Sequence, residues 1–435
     1  MSFRSGGSFG AVTGTFAAGP APGFAPSLSE VHVFWLSGMS CDGCTVSMTG
    51  ASNPSMEQLI AGTIPLMPEV RLHHPMLAEH SGGAFMEPFK QAIAGTLSAP
   101  YILVLEGSVP DDQALPPNGG CYAALGVGGF AMRRESGQSD RVTDWLKELA
   151  PRAAACIAIG TCAAYGGIPA AAGNITGSMG LMDFLGAGYR SAAGMPVINV
   201  PGCAPIGDNF TEVLATVLSA LQSVQPLPEF DDLGRPAWMF GETVHRHCPK
   251  AGYYEEGVFT HKPGDNQCLV EIGCWGPVVQ CNIVERGAIN HLGGCMVAGG
   301  PCIGCTMPGF PDKYAPFYKS PPGSFVSGSI SKIYGGGIRR LRRMSMRSGN
   351  TVGTNWDNAH EVPTPWASAV GHKTPVDRIN GFFYKKLQYH GSADLGAKGR
   401  KTPLPQTRDI LRQDGLDFEQ PVPVLGESVK SREEL

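Results

Sequence analysis

The sequence predicts an α/β protein built around a parallel sheet, and three observations predict it. Short apolar runs rich in β-branched residues recur at 31–36, 101–105, 156–159 and 197–200. Helical patterns lie between them, at 142–149 and at 210–224, where Leu214, Val217, Leu218 and Leu221 recur at helical spacing. Strands alternating with helices are the signature of βαβ units, which build parallel sheets. Each apolar run also ends in a glycine-containing loop, reading SGMSCDGC, EGSVP, GTCAAYGG and PGCAP in order. In open α/β sheets ligands bind beyond the carboxyl ends of the strands, so the chemistry belongs in these loops, three of which carry cysteine. Residues 30–226 therefore read as a flavodoxin-like domain. A flexible arm over 1–29 precedes it, a loop-rich cysteine domain over 227–312 follows, and an irregular C-terminal extension over 313–435 supplies partner or oligomer contacts.

Composition narrows the function. The 435 residues suffice for two or three domains. A net charge of −4 gives no basic field for nucleic acid or anionic lipid. Only 16% of residues are charged, against 59 Gly and 36 Pro, which points to long loops and a surface partly covered by a partner. No run of 18 apolar residues marks a membrane span. The first 26 residues lack a secretory pattern, and the pairs Arg133-Arg134, Arg339-Arg340 and Arg342-Arg343 are too internal for a twin-arginine signal, so a cytoplasmic location is expected. Thirteen cysteines in such a protein are expected to ligate metal rather than to form disulfides.

The cysteines fall into two groups. In the first domain Cys41 and Cys44 form a CxxC, while Cys162 and Cys203 arrive from the ends of two other runs. Four thiolates on short glycine-rich loops suit a 4Fe-4S cluster, which wants soft anionic ligands with backbone N–H groups near its sulfurs. Simple buried packing is the alternative for each. In the second domain His245 and Cys248 stand as HxxC, followed by Cys268, Cys274, Cys281, Cys295 and the pair Cys302 and Cys305. These ligands suit clusters, and spacing alone leaves a Cys3His zinc site open.

The ordered segments WLSGMSCDGC, LVLEGSVP, IGTCAAYGG, VPGCAP, HRHCP, GCWGP and PCIGCTMPGFPD resemble the small subunits of nickel-iron hydrogenases over residues 30–312. GPVVQCN and PCIGCTMPGFPDKY are most similar to the actinobacterial-type, high-affinity uptake group. The resemblance implies a chain that breaks no bonds itself: hydrogen is split at a nickel-iron centre in a large partner subunit. Electrons then pass through three iron-sulfur clusters to an unidentified acceptor. By the same resemblance Cys41, Cys44, Cys162 and Cys203 hold the proximal cluster and Cys281, Cys302 and Cys305 the medial one. His245, Cys248, Cys268 and Cys274 hold the distal one. It further implies a dimer of heterodimers, with protons leaving through the partner, since the sequence offers no identifiable chain of titratable residues.

The sequence departs from the family pattern in three places. Cys295 lies near where many relatives carry proline, so the medial cluster is 4Fe-4S with it or 3Fe-4S without it. Gly43 and Gly167 stand where an oxygen-tolerant group carries extra cysteines, so that six-cysteine arrangement is absent. Asp42, inside CDGC, is a candidate iron ligand or, alternatively, a helix cap. Cys156 reads as packing, Cys121 and the arginine run 339–347 have no assigned role, His247 reads as a neighbour of the ligands, and Glu106 and Glu271 are secondary candidates. The rival readings are the iron-sulfur subunit of another redox complex, such as quinone reductases that share the first domain, and a zinc-stabilised scaffold.

Overall fold

The computed structural model describes residues 28–318 except 113–114, 116–119, 128–137, 187, 232, 313 and 316. The N-terminal arm up to residue 27, the extension beyond 318 and the arginine run 339–347 lie outside the described residues.

Five strands make the sheet: β1 (Glu30–Ser37), β2 (Glu69–His73), β3 (Tyr101–Glu106), β6 (Ala155–Ile159) and β7 (Val197–Val200), ordered β2-β1-β3-β6-β7. Every pairing is parallel. Numbered by their sequence order within this sheet, the strands run 2-1-3-4-5, the flavodoxin-like order, whose switch point lies between β1 and β3. A separate antiparallel pair, β4 (Ala124–Val127) with β5 (Ser139–Arg141), sits in the connection from β3 to β6.

Side chains alternate across the strands, and both faces are covered, so the apolar runs are continuous rather than alternating. Val33, Trp35, Ile102, Val104, Ile157, Ile159, Ile198 and Val200 face one core, closed by Phe210, Leu214, Val217 and Leu218 of α7 (Gly207–Leu221). Phe34, Leu36, Leu103, Leu105, Cys156 and Ala158 face the other. That core is closed by Met86 and Phe89 of α3 (Gly82–Ala94) and by Trp145, Leu146 and Leu149 of α4 (Val142–Leu149). Each such aliphatic or aromatic side chain contributes roughly 1.5–3 kcal/mol when fully buried.

At the sheet's carboxyl edge α1 (Gly43–Thr49) follows β1, and α5 (Gly160–Tyr165) follows β6. The short α2 (Met56–Ile60) opens on a reciprocal cap, with Gln58 N–H donating to Ser55 Oγ and Ser55 N–H to Gln58 Oε1. Another short helix, α6 (Leu181–Leu185), precedes β7.

Residues Met239 and Phe240, in α8 (Ala237–Phe240), still pack on the first core. A third core then gathers Val244, Tyr254, Leu269, Val270, Trp275, Val279, Met296, Phe310 and Tyr314 around the cysteines of the second half. Its helices are single turns, α9 (Val244–His247), α10 (Ala251–Glu255) and α11 (Ile283–Arg286). Two contacts lock it to α7: the buried amides of Asn209 and Asn282 donate to each other at 2.8 and 2.9 Å, and Arg286 pairs with Glu212. Among the described residues no helix is long and apolar enough to cross a membrane.

Candidate metal centres

The loop after β1 presents Cys41 at the surface and Cys44 beneath it, at the first turn of α1. Cys162, in α5, and Cys203, beyond β7, converge on the same place, and each of the three other thiols acts electrostatically on Cys44. The loops approach closely because glycine permits it. A Cβ on Gly160, whose φ is +85°, would lie 2.4 Å from Cys44 Sγ. At Gly167, φ +55°, it would lie 2.8 Å from Cys162 Cα and Sγ, so no side chain fits there in this arrangement.

Asp42 occupies the position before α1 with a left-handed backbone (φ 59°), and its side chain makes no capping hydrogen bond. The capping alternative is thereby set aside. Beneath this loop, Glu106, fully buried at the end of β3, accepts from Trp35 Nε1 (3.1 Å), Cys44 N–H (3.0 Å), Thr45 N–H (3.3 Å) and the Thr45 hydroxyl. The Thr45 hydroxyl also meets His74 Nε2 at 2.9 Å, and His74 Nδ1 accepts from Met76 N–H at 3.1 Å. Burial lowers the His74 imidazole. His74, Thr45 and Glu106 thus form one hydrogen-bonded row ending at the Cys44 amide. The signal was a lone carboxylate ending an otherwise apolar strand.

His245, Cys248, Cys268 and Cys274 line a single recess, walled by Val244, Leu269, Val270, Pro277 and Met296. The His245 ring packs edge-on against Tyr254. His247 faces away, toward Glu242 (2.9 Å) and Glu285 (3.2 Å).

Cys281, Cys302 and Cys305 act electrostatically on one another, and Cys295 acts on both Cys281 and Cys305. A cation sits beside them. Arg235, only 3% exposed, donates to Asp231 (2.7 Å), Gln280 Oε1 (2.5 Å) and Met307 Sδ (3.6 Å), and its charge favours the Cys281 thiolate.

Burial pushes the inner thiols upward: Cys162 and Cys274 to about 11, Cys268 and Cys305 to about 12, with Cys44, Cys281 and Cys302 also raised well above the usual thiol range. Lone buried thiols would remain protonated, so anionic ligation here requires a positively charged metal to displace the protons. Among the described residues no three His, Cys, Asp or Glu side chains stand close enough together for a single metal ion. Donors set this far apart fit a polynuclear cluster, whose thiolates bind different irons, better than one tetrahedral zinc.

The other sequence candidates lie elsewhere. Cys156 is buried in β6 with its sulfur 3.1 Å from the Tyr189 hydroxyl, as packing requires. Glu271 pairs with His261, and Cys121 is half-buried in the connection after β3.

A flavodoxin-like sheet carrying soft ligands at its switch point, joined to a cysteine-lined second core, defines an iron-sulfur electron-transfer protein. Residues 240–318 match the family model for the C-terminal part of NiFe/NiFeSe hydrogenase small subunits, and residues 41–217 match that of the NADH ubiquinone oxidoreductase 20 Kd subunit. The chain is 33% identical over 308 residues to the periplasmic [NiFeSe] hydrogenase small subunit of Desulfomicrobium baculatum, covering 68% of this chain and 91% of that one. It is 30% identical over 351 residues to the F420 non-reducing hydrogenase II small subunit of Methanosarcina mazei, covering 73% and 85%. Among solved structures, the actinobacterial-type NiFe-hydrogenase of Ralstonia eutropha H16 superposes with a TM-score of 0.70 at 44% identity, over 81% of this chain and 96% of that one. The chain belongs to the nickel-iron hydrogenase small-subunit family, whose catalytic site lies in the large subunit.

Proposed function

We propose that this chain wires a large subunit that oxidises hydrogen to an outside acceptor through three iron-sulfur sites in series. Cys41, Cys44, Cys162 and Cys203 hold the proximal 4Fe-4S cluster, where the Asp42 carboxylate is able to replace one thiolate on iron. Cys281, Cys295, Cys302 and Cys305 hold a medial 4Fe-4S cluster. His245, Cys248, Cys268 and Cys274 hold the distal 4Fe-4S cluster. When bound, these clusters supply one-electron steps that the protein's own side chains cannot.

The observation that carries this reading is the contact between neighbouring ligand sets. The hydroxyl of Thr161, beside Cys162, donates to the Cys305 carbonyl, and the Cys302 amide donates to Cys274 Sγ at 3.3 Å. The sets are thus coupled in the order proximal, medial, distal. The chain's task is to keep water from the inner thiols and hold the loops in register. The assembly is a dimer of heterodimers in the cytoplasm, with residues 313–435 contributing contacts between copies.

Anaerobic co-purification with the large subunit tests the proposal. About eleven to twelve irons per small subunit, with matching sulfide and EPR signals that appear on exposure to hydrogen, support it. A complex that binds zinc and no sulfide refutes it.

A further inference from the structure

Two junctions separate the three ligand sets, and each is crossed by a hydrogen bond. At the outer junction Cys302 N–H donates to Cys274 Sγ, and at the inner one the Thr161 hydroxyl donates to the Cys305 carbonyl. In both cases the donor belongs to the loops of the set nearer the sheet and the acceptor to the next set outward. A hydrogen bond donated to a ligating cysteine stabilises the electron-rich state, and so raises the reduction potential on the accepting side.

The inner junction is clamped by a side chain. Thr161, 1% exposed, donates its backbone N–H to Gly202 O at 3.0 Å. Its hydroxyl accepts from Gly202 N–H at 2.9 Å and donates to the Cys305 carbonyl. Thr161 precedes Cys162, and Gly202 precedes Cys203. One hydroxyl therefore ties two proximal loops to a medial one, and its single proton is committed to the medial side.

We infer that Thr161 is a positioning residue that holds the Cys203–Cys305 junction closed and thereby raises the medial reduction potential relative to the proximal one. This rests on the reading that the two sets hold iron-sulfur clusters. The β-methyl group packs in either a threonine or a valine, so the hydroxyl alone carries the effect. Local spacing holds no hint of it, because the partners lie 41 and 144 residues away.

The test is Thr161→Val in the complete heterodimeric complex prepared without air, with Thr161→Ser beside it and midpoint potentials followed by EPR-monitored redox titration. Valine is expected to lower the medial potential so that the electron's partition moves toward the proximal site on the order of tenfold, or ~59 mV for a one-electron couple. Serine restores it, and the distal potential, one junction away, stays. A valine complex with its full iron and sulfide count and an unchanged medial midpoint overturns the inference. If Thr161→Val and Thr161→Ala both fail to load iron while serine loads normally, the inference is equally overturned and Thr161 is a folding residue. An unmodified complex without iron or sulfide is a different failure, since it removes the cluster reading itself.

Discussion

Gly160→Ala probes the tightest point of the proximal site. The new methyl carbon would lie 2.4 Å from Cys44 Sγ, whereas ordinary contact begins at 3.4 Å, so the sulfur must retreat by about 1 Å. Metal-sulfur bonds tolerate only about 0.2 Å of displacement, so ligation through Cys44 fails before the sheet does. The left-handed backbone adds roughly 1–2 kcal/mol, and the overpacked side chain adds about 1–3 kcal/mol. A combined cost of about 2–5 kcal/mol is a large share of a stability that is typically 5–15 kcal/mol. Two assays read the outcome: iron and sulfide stoichiometry, expected to fall by about one four-iron cluster, and thermal unfolding, expected at lower temperature. Gly252→Ala in α10 is the control, because nothing lies within 4 Å of its would-be Cβ. Retention of all iron and an unchanged unfolding temperature in Gly160→Ala would refute the account of the loop packing.

Other perturbations separate the remaining sites. Cys295→Ala is expected to remove about one iron and to give the oxidised complex the EPR signal of a 3Fe-4S cluster; a loss of the whole medial signal, or no change, counts against Cys295 as a fourth ligand. Arg235→Gln removes a buried cation with three donor contacts and is expected to cost about 3–5 kcal/mol in chemical denaturation, while moving the medial midpoint downward. The His73 imidazole is held down to about 4, by burial first and then by His32 and Arg71. Its neutral form is the folded one, so this stabilisation is complete above about 6.5 and is lost as pH falls through about 4. Unfolding temperature should drop across that window and drop less in His73→Phe, whose ring stays among Phe34 and Phe89.

The sheet was largely legible because its central strands are buried on both faces. The apolar runs at 101–105, 156–159 and 197–200 fall within or coincide with β3, β6 and β7, and 142–149 coincides with α4. Edge strand β2 escaped notice because EVRLH mixes charge with apolar residues, as a half-exposed edge allows. Helix α3 was hidden by Pro88 in its middle. Helix α7 begins three residues before the periodic pattern because Asp208, in its first turn, accepts from Ser52 and Asn53 N–H, a partnership 155 residues or more apart. Cysteine positions could be grouped because soft ligands announce themselves by type. Glu106 announced itself as a lone carboxylate ending an apolar strand, but Thr45, Thr161 and Arg235, which also hold those loops, are ordinary residues whose role depends on distant partners, and local spacing contains no trace of that.

The rim of the first site has a consequence for how the complex is built. Cys41 and Cys203 remain open to solvent while Cys44 is covered by its own helix and by Gly160. A lone chain therefore offers oxygen and chelators a route to one side of whatever those sulfurs bind, a route that a partner docked over this rim would close. Maturation is then safest when docking follows loading without delay, and chains left unmated should be the first to bleach in air.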